Sequence, residues 1–172
     1  MSVWPNSLTI RFTEEQDAPY LKTWLSDAEV LKGFPLQDEK EIDDAIRIWM
    51  SYVSKKSSLT ALWDGVPCGC ALLNLQSFQK LAHTCILTII VDKEKRGCGI
   101  GTILLSELTT LAKDVFHIEV LHLEVYKDNP AIRLYQREGF KVFGEQQRFT
   151  KEGDGYRSKI FMQKILKTTP FH

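Results

Sequence analysis

Apolar and polar residues alternate in SLTIRF near the start of the chain, the pattern of a half-buried strand. The period then lengthens. Tyr20, Leu21, Trp24 and Leu25 recur at helical spacing behind Asp17, a candidate cap, and Pro19, which suits a first turn. GFP at 33–35 breaks that pattern, and a second helix begins near Asp38. Ile42, Ile46, Trp49, Met50 and Val53 form its apolar stripe. The acidic run DEKEIDD falls on its first turn, where the helix dipole favours negative charge; the alternative reading is an attractor for a cationic substrate. LTALWDG and CGCALLNLQSF predict a hairpin turned at DGVP. HTCILTIIVD becomes apolar on both faces towards its end, as a strand inside a sheet does. A long helix follows over roughly 100–115, with Ile103, Leu104, Leu108, Leu111 and Ala112 on one side. IEVLHLEVY is rich in strand formers, NPAIRLYQREGF predicts a short helix between Pro130 and Gly139, and two further strands meet around KEGDG.

These periods give the order β-α-α-β-β-β-α-β-α-β-β, with no internal repeat, linker or low-complexity stretch. A length of 172 residues suits a single domain over 1–172. One strand-helix-strand crossover among hairpins predicts an α/β (α+β) fold: a mixed sheet with helices on its faces. The 22 basic and 22 acidic residues balance, so there is no general field for nucleic acid or an anionic membrane. The N-terminal stretch has no leader pattern, and no apolar run reaches the ~20 residues that span a bilayer. Cys68-Gly69-Cys70 lacks the spacer of zinc and redox motifs, so the four cysteines, Cys68, Cys70, Cys85 and Cys98, read as small core residues, no metal is expected, and the cytoplasm is the default location.

The chemistry concentrates in KEKRGCGIGTILL, which places Gly97, Gly99 and Gly101 where a buried strand passes into a helix. One reading is a loop that merely needs glycine. The other is an anion site: glycines let backbone amides approach a phosphate, the helix N-terminus adds unpaired N–H groups, and Lys95 and Arg96 add charge. No Lys-Ser or Lys-Thr follows, so this is not a nucleoside-triphosphate loop. The third glycine comes one residue too early for the dinucleotide fingerprint.

VDKEKRGCGIGTILL resembles the acetyl-coenzyme A signature R/Q-x-x-G-x-G/A of the GNAT superfamily of N-acetyltransferases, here Arg96-Gly97-Cys98-Gly99-Ile100-Gly101. LEVYKDNPAIRLYQREGF resembles that superfamily's second signature, so the likeness runs from about residue 83 to 143. It implies a mostly antiparallel central sheet of about seven strands flanked by about four helices, with acetyl-CoA as co-substrate. The backbones of Ile89, Ile90 and Val91 would meet pantetheine and the acetyl carbonyl, with an N–H near Ile90 as oxyanion donor. The amides of Arg96, Gly97, Cys98, Gly99, Ile100, Gly101 and Thr102 would hold the pyrophosphate. Asn129 and Tyr135 would flank the pantetheine and sulfur end, with Asp128 sharing the role of Asn129 because the spacing to Tyr135 is one residue short.

Acetyl transfer to an amine needs a neutral amine, a stabilised carbonyl oxygen and a protonated leaving thiol. The resemblance makes Tyr135 the general acid. Glu124 is the candidate general base, with His83, His122 or a water relay as alternatives. The implied reaction is direct transfer from acetyl-CoA to a primary amine: a small amine, an amino acid, an antibiotic, or a protein N-terminus or lysine. The partner is thus a small-molecule or peptide amine, the chain itself a monomer or homodimer, and Trp24, Phe34, Trp49 and Tyr52 are either core or the wall of the acceptor pocket. The competing reading is a coenzyme A-binding module without turnover, which would not need Tyr135.

Overall fold

The computed structural model describes residues 7–167. The terminal residues on either side, including the start of the stretch searched for a leader, lie outside the described residues. The described elements run β1 (Leu8–Phe12), α1 (Ala18–Leu25), α2 (Ala28–Leu31), α3 (Glu39–Met50), β2 (Ser58–Trp63), β3 (Val66–Leu75), β4 (Thr84–Val91), α4 (Ile100–Asp114), β5 (Val120–Tyr126), α5 (Ile132–Arg137), β6 (Lys141–Glu152) and β7 (Gly155–Ile165). The strands form one seven-stranded sheet in the order β1-β2-β3-β4-β5-β7-β6. The β4–β5 pair is parallel, while β1–β2, β2–β3, β5–β7 and β6–β7 are antiparallel.

Local chemistry explains most boundaries. The β2–β3 loop is Asp64-Gly65, both at positive φ (50° and 78°), the geometry of a two-residue hairpin turn that matches strand twist. Asp38 caps α3 by accepting from Glu41 N–H at 2.9 Å, so DEKEIDD is a solvated first turn. The one-turn helix α2 was not expected from the periodicity. Asp27 creates it by accepting from Glu29 N–H and Val30 N–H, which buries Val30.

Packing divides the described residues into two compact units: the chain up to Leu73 with Thr88–Leu108, and Asn74–Leu87 with the chain from Thr109 onward. In the first, Leu21, Trp24, Leu25, Ile42, Ile46 and Trp49 pack against Cys70, Leu72 and Ile90, with Phe34 and Tyr52 partly buried beside them. The four aromatic residues therefore belong to this core and its margin. In the second, Leu121, Leu123 and Val125 of β5 and Ile160 and Met162 of β7 are buried. The buried stripe of α4 is Ile100, Leu104, Leu105, Leu108 and Ala112, rotated from the expected one because Ile103 and Leu111 are only half-buried.

Asp17 differs from its expected role. Its side chain makes no cap bond to α1 and is buried instead. It accepts two bonds from Arg11 at 2.7 and 2.8 Å, one from Thr60 Oγ1 at 2.9 Å and one from Glu14 N–H at 2.9 Å.

Candidate active site

The glycine segment lies wholly in the first unit. β4 ends at Val91, and Asp92 starts a tight turn over Lys93–Lys95 by accepting from Glu94 N–H at 3.1 Å. Gly97 and Gly99 follow at φ 76° and 81°, a region costly for any residue with a Cβ. A methyl group on Gly97 would meet nothing within 4 Å, so the space above this backbone is open. Gly99 O accepts from Ile103 N–H at 3.2 Å, which makes Gly99 the residue before the helix. The amides of Ile100, Gly101 and Thr102 are then those that an α-helix leaves without intrahelical partners. They lie at the positive end of a 15-residue helix, donors of the kind an anion takes. Arg96 N–H is committed to Lys93 O at 3.3 Å, so of the expected amide row this one serves the turn. Cys98 is an exposed thiol between the two strained glycines, and Lys95 Nζ lies 4.8 Å from the centre of the Trp63 ring.

Strand direction sorts the backbone groups of Ile89, Ile90 and Val91. Asp92 N–H donates to Cys68 O at 2.9 Å, and Ile90 O lies 3.1 Å from where a Cβ on Gly69 would stand. Ile90 and Asp92 therefore turn their backbone groups towards β3, and alternation turns those of Ile89 and Val91 the other way. The Ile90 side chain is buried in the core. Gly69 is a residue the motif search missed: a Cβ there would also press on Leu104 Cδ1 at 3.1 Å and Ile100 Cγ2 at 3.3 Å. Its lack of a side chain lets the start of α4 close on the sheet.

The second unit carries the remaining candidates. Tyr135 sits on α5 with its ring edge-on to Phe140 at 6.1 Å. Desolvation pushes its phenol up to about 12, so the proton stays on the oxygen at neutral pH. Asn129 Oδ1 accepts from Ala131 N–H at 2.9 Å and so starts α5. Asp128 pairs with Arg157 at 3.0 Å. Glu124 pairs with the Lys159 ammonium at 3.0 Å. His122 stands at the last β4–β5 pair, Ile86↔His122. Its Nε2 is buried without a hydrogen-bond partner, and burial lowers its pKa against the opposing pull of Glu124. His83 is exposed before β4.

Cys68, Cys70 and Cys85 behave as core, whereas Cys98, expected there too, is exposed in the glycine turn. Burial pushes Cys68 up to about 11 and Cys70 and Cys85 up to about 12, far from reactive thiolates. Among the described residues no three His, Cys, Asp or Glu side chains gather as a metal site would, and no helix is long and apolar enough to cross a membrane.

A family model described as the acetyltransferase (GNAT) family matches residues 14–140, and the chain belongs to that family. It is an acyltransferase of the N-acetyltransferase type. The L-amino acid N-acetyltransferase AaaT of Escherichia coli (strain K12) is 24% identical over 108 residues, 62% of this chain and 67% of that protein. An N-alpha-acetyltransferase of Sulfurisphaera tokodaii is 34% identical over 84 residues, spanning 48% of this chain and about half, 49%, of its relative. Among solved structures, the ribosomal-protein-alanine N-acetyltransferase of Brucella melitensis aligns with a TM-score of 0.78 at 27% identity, over 92% of this chain and 99% of that one. The yncA structure from Salmonella typhimurium, solved with its cofactor acetyl-CoA, aligns at 0.81 and 23% identity over 95% and 96%.

Proposed function

We propose that this chain, acting as one cytoplasmic acetyltransferase domain, moves an acetyl group from acetyl-CoA directly to a primary amine while both substrates are bound. The observation that carries the reading is the turn at Gly97 and Gly99: two left-handed glycines, open space above the first, and the bare amides of α4 immediately after. The residues present fit the co-substrate, which supplies the activated thioester. The amides of Gly97 to Thr102 hold its pyrophosphate, with the Arg96 side chain adding charge. Ile89 and Val91, whose backbone groups turn away from β3, hold the pantetheine arm, and the Ile89 N–H donates to the acetyl carbonyl oxygen as charge builds there. Asn129, its oxygen bound to the chain, has its amide N–H₂ to offer the same arm. Glu124 takes the proton that frees the amine, and Tyr135 gives its proton to the departing sulfur. The raised phenol pKa suits this role because the group remains a donor across the neutral range. Free thiols at Cys68, Cys70, Cys85 and Cys98 suit the reducing cytoplasm.

The related proteins act, by their names, on L-amino acids, on protein N-termini and on a ribosomal-protein alanine. Each is an amine acceptor of the kind proposed. The test is thiol release from acetyl-CoA against a panel of amines, comparing wild type with Tyr135→Phe. We expect turnover on at least one amine and a loss of roughly tenfold or more in kcat for the variant. Unchanged kcat in Tyr135→Phe removes the acid role, and absence of coenzyme A binding removes the reading of the glycine turn.

A further inference from the structure

One face of the β5–β7–β6 sheet is polar where the opposite face is core. Leu121, Leu123 and Val125 are buried on the core face, so alternation puts His122, Glu124 and Tyr126 on the other. In register, His122 faces Gln163, Glu124 faces Phe161 and Tyr126 faces Lys159. Arg157 lies two residues from Lys159 on the same face, opposite Thr150.

Three features of this face call for a ligand. First, its charges are arranged by depth. The side chains of Lys159 and Arg157 are 10% and 20% exposed, while their partners Glu124, Asp128 and Glu152 are 40%, 68% and 61% exposed. The cations lie inward and the carboxylates outward, so the inner surface is positive. Second, His122 Nε2 is buried without a hydrogen-bond partner, and the buried hydroxyls of Tyr126 and Thr150 have only each other. Such groups are rare in native folds and mark places where a partner is supplied from outside. Third, β6 bulges here. Gln146 pairs with Lys159 and Thr150 with Arg157, so three β6 residues stand against one on β7, and Arg148 is forced to φ 53°. The bulge brings the Phe149 ring to 3.3 Å from Lys159 Nζ, and Arg157 stacks on Tyr126 with its guanidinium carbon 3.8 Å from the ring centre. Bulges of this kind re-aim side chains beside active sites.

We infer that the amine acceptor carries a carboxylate close to its amine, and that Lys159 and Arg157 receive that carboxylate. This rests on the acetyltransferase reading and on Glu124 as proton acceptor. The Glu124–Lys159 ion pair is the complement of a zwitterion. The substrate ammonium takes the place of Lys159 on Glu124, and the substrate carboxylate takes the place of Glu124 on Lys159, so the buried Lys159 charge is not left alone. Tyr126 Oη and Thr150 Oγ1 have the donors to complete the carboxylate's hydrogen bonds. The ring of Phe149 shields the ammonium from water and strengthens the pairing.

The experiment measures thiol release from acetyl-CoA by the full chain with three acceptors: a free neutral amino acid, its amide, and the amide of an acidic amino acid. The free amino acid is expected to exceed its amide in kcat/KM by about tenfold or more, the worth of a charge-assisted contact. Lys159→Gln is expected to bring that ratio close to one, and Lys159→Arg to keep most of it. Arg157→Gln replaces Lys159→Gln if the latter does not fold. If the acidic amide instead exceeds the neutral amide, the same cations read a side-chain carboxylate. Equal use of acid and amide, or a preference untouched by the neutral variants, overturns the inference. So does acetylation confined to amines without a carboxylate. Absence of coenzyme A binding overturns the acetyltransferase reading itself, which separates the two failures.

Discussion

Gly97 and Gly65 share one backbone problem and differ in their surroundings. Both hold φ near 77°, at 76° and 78°, and a Cβ on either meets nothing within 4 Å. Alanine at either position should cost about 1 kcal/mol of stability from the left-handed conformation alone. Only Gly97→Ala should also raise the KM for acetyl-CoA, by roughly tenfold, because its methyl group stands where a phosphate must reach the amides. Urea unfolding and steady-state kinetics on the two variants separate strain from binding. An equal KM in both means that the open space above Gly97 serves no ligand. The left-handed backbone of Gly97 was legible in the sequence because glycine's freedom is a property of one residue and its spacing is written in the chain. The direction of the Ile90 backbone was not. It depends on how β4 registers against β3, through Asp92 N–H on Cys68 O, and no local pattern carries that parity.

Helices and strands were legible where their own period decided them, and misread where a distant partner intervened. Asp17 before Ala18-Pro19 looks like a helix cap, yet the carboxylate turns to Arg11 and Thr60 on β1 and β2 and joins Thr13, Ser58 and the Trp49 indole in one buried network. Burial by itself raises the Asp17 pKa, but the bonds from Arg11, Glu14 and Thr60 outweigh it and hold the carboxyl below its ordinary value. A depressed folded-state pKa stabilises above the unfolded value, about 3.9, and that contribution disappears as pH falls through the folded value. Asp17→Ala should therefore lose roughly 3 kcal/mol at neutral pH, since it leaves the part-buried Arg11 guanidinium with only the more distant Glu14 carboxylate, at 3.9 Å, as counter-charge. The difference between variant and wild type should shrink below about pH 3.9. Denaturant titrations at a series of pH values measure it, and a difference independent of pH would assign the loss to packing rather than charge.

At the scale of the molecule, the order of elements followed from periodicity apart from α2, but the sheet order β5-β7-β6 did not, and neither did the polar face of these strands. Glu124, Lys159 and Thr150 meet only because β7 inserts between β5 and β6, and long-range pairing leaves no trace in local composition. The balanced charge of 22 basic and 22 acidic residues also hides a local imbalance, since a polyanionic co-substrate must be gripped without a net positive field. The grip then has to come from oriented amides at α4. That has a thermodynamic consequence. A ligand that binds only the folded chain stabilises it by about 2.7 kcal/mol at a hundredfold excess over its Kd. For a chain of this size that corresponds to a rise in Tm of roughly 5–10 °C. Acetyl-CoA should produce this shift, while pantetheine, which lacks the phosphates, should produce little at the same concentration. The shift should also survive Tyr135→Phe, because in the proposed mechanism the phenol serves the sulfur and not the phosphates. Equal shifts from pantetheine and acetyl-CoA would move the binding energy from the glycine turn to the β4 backbone, and with it the reason for Gly97 and Gly99.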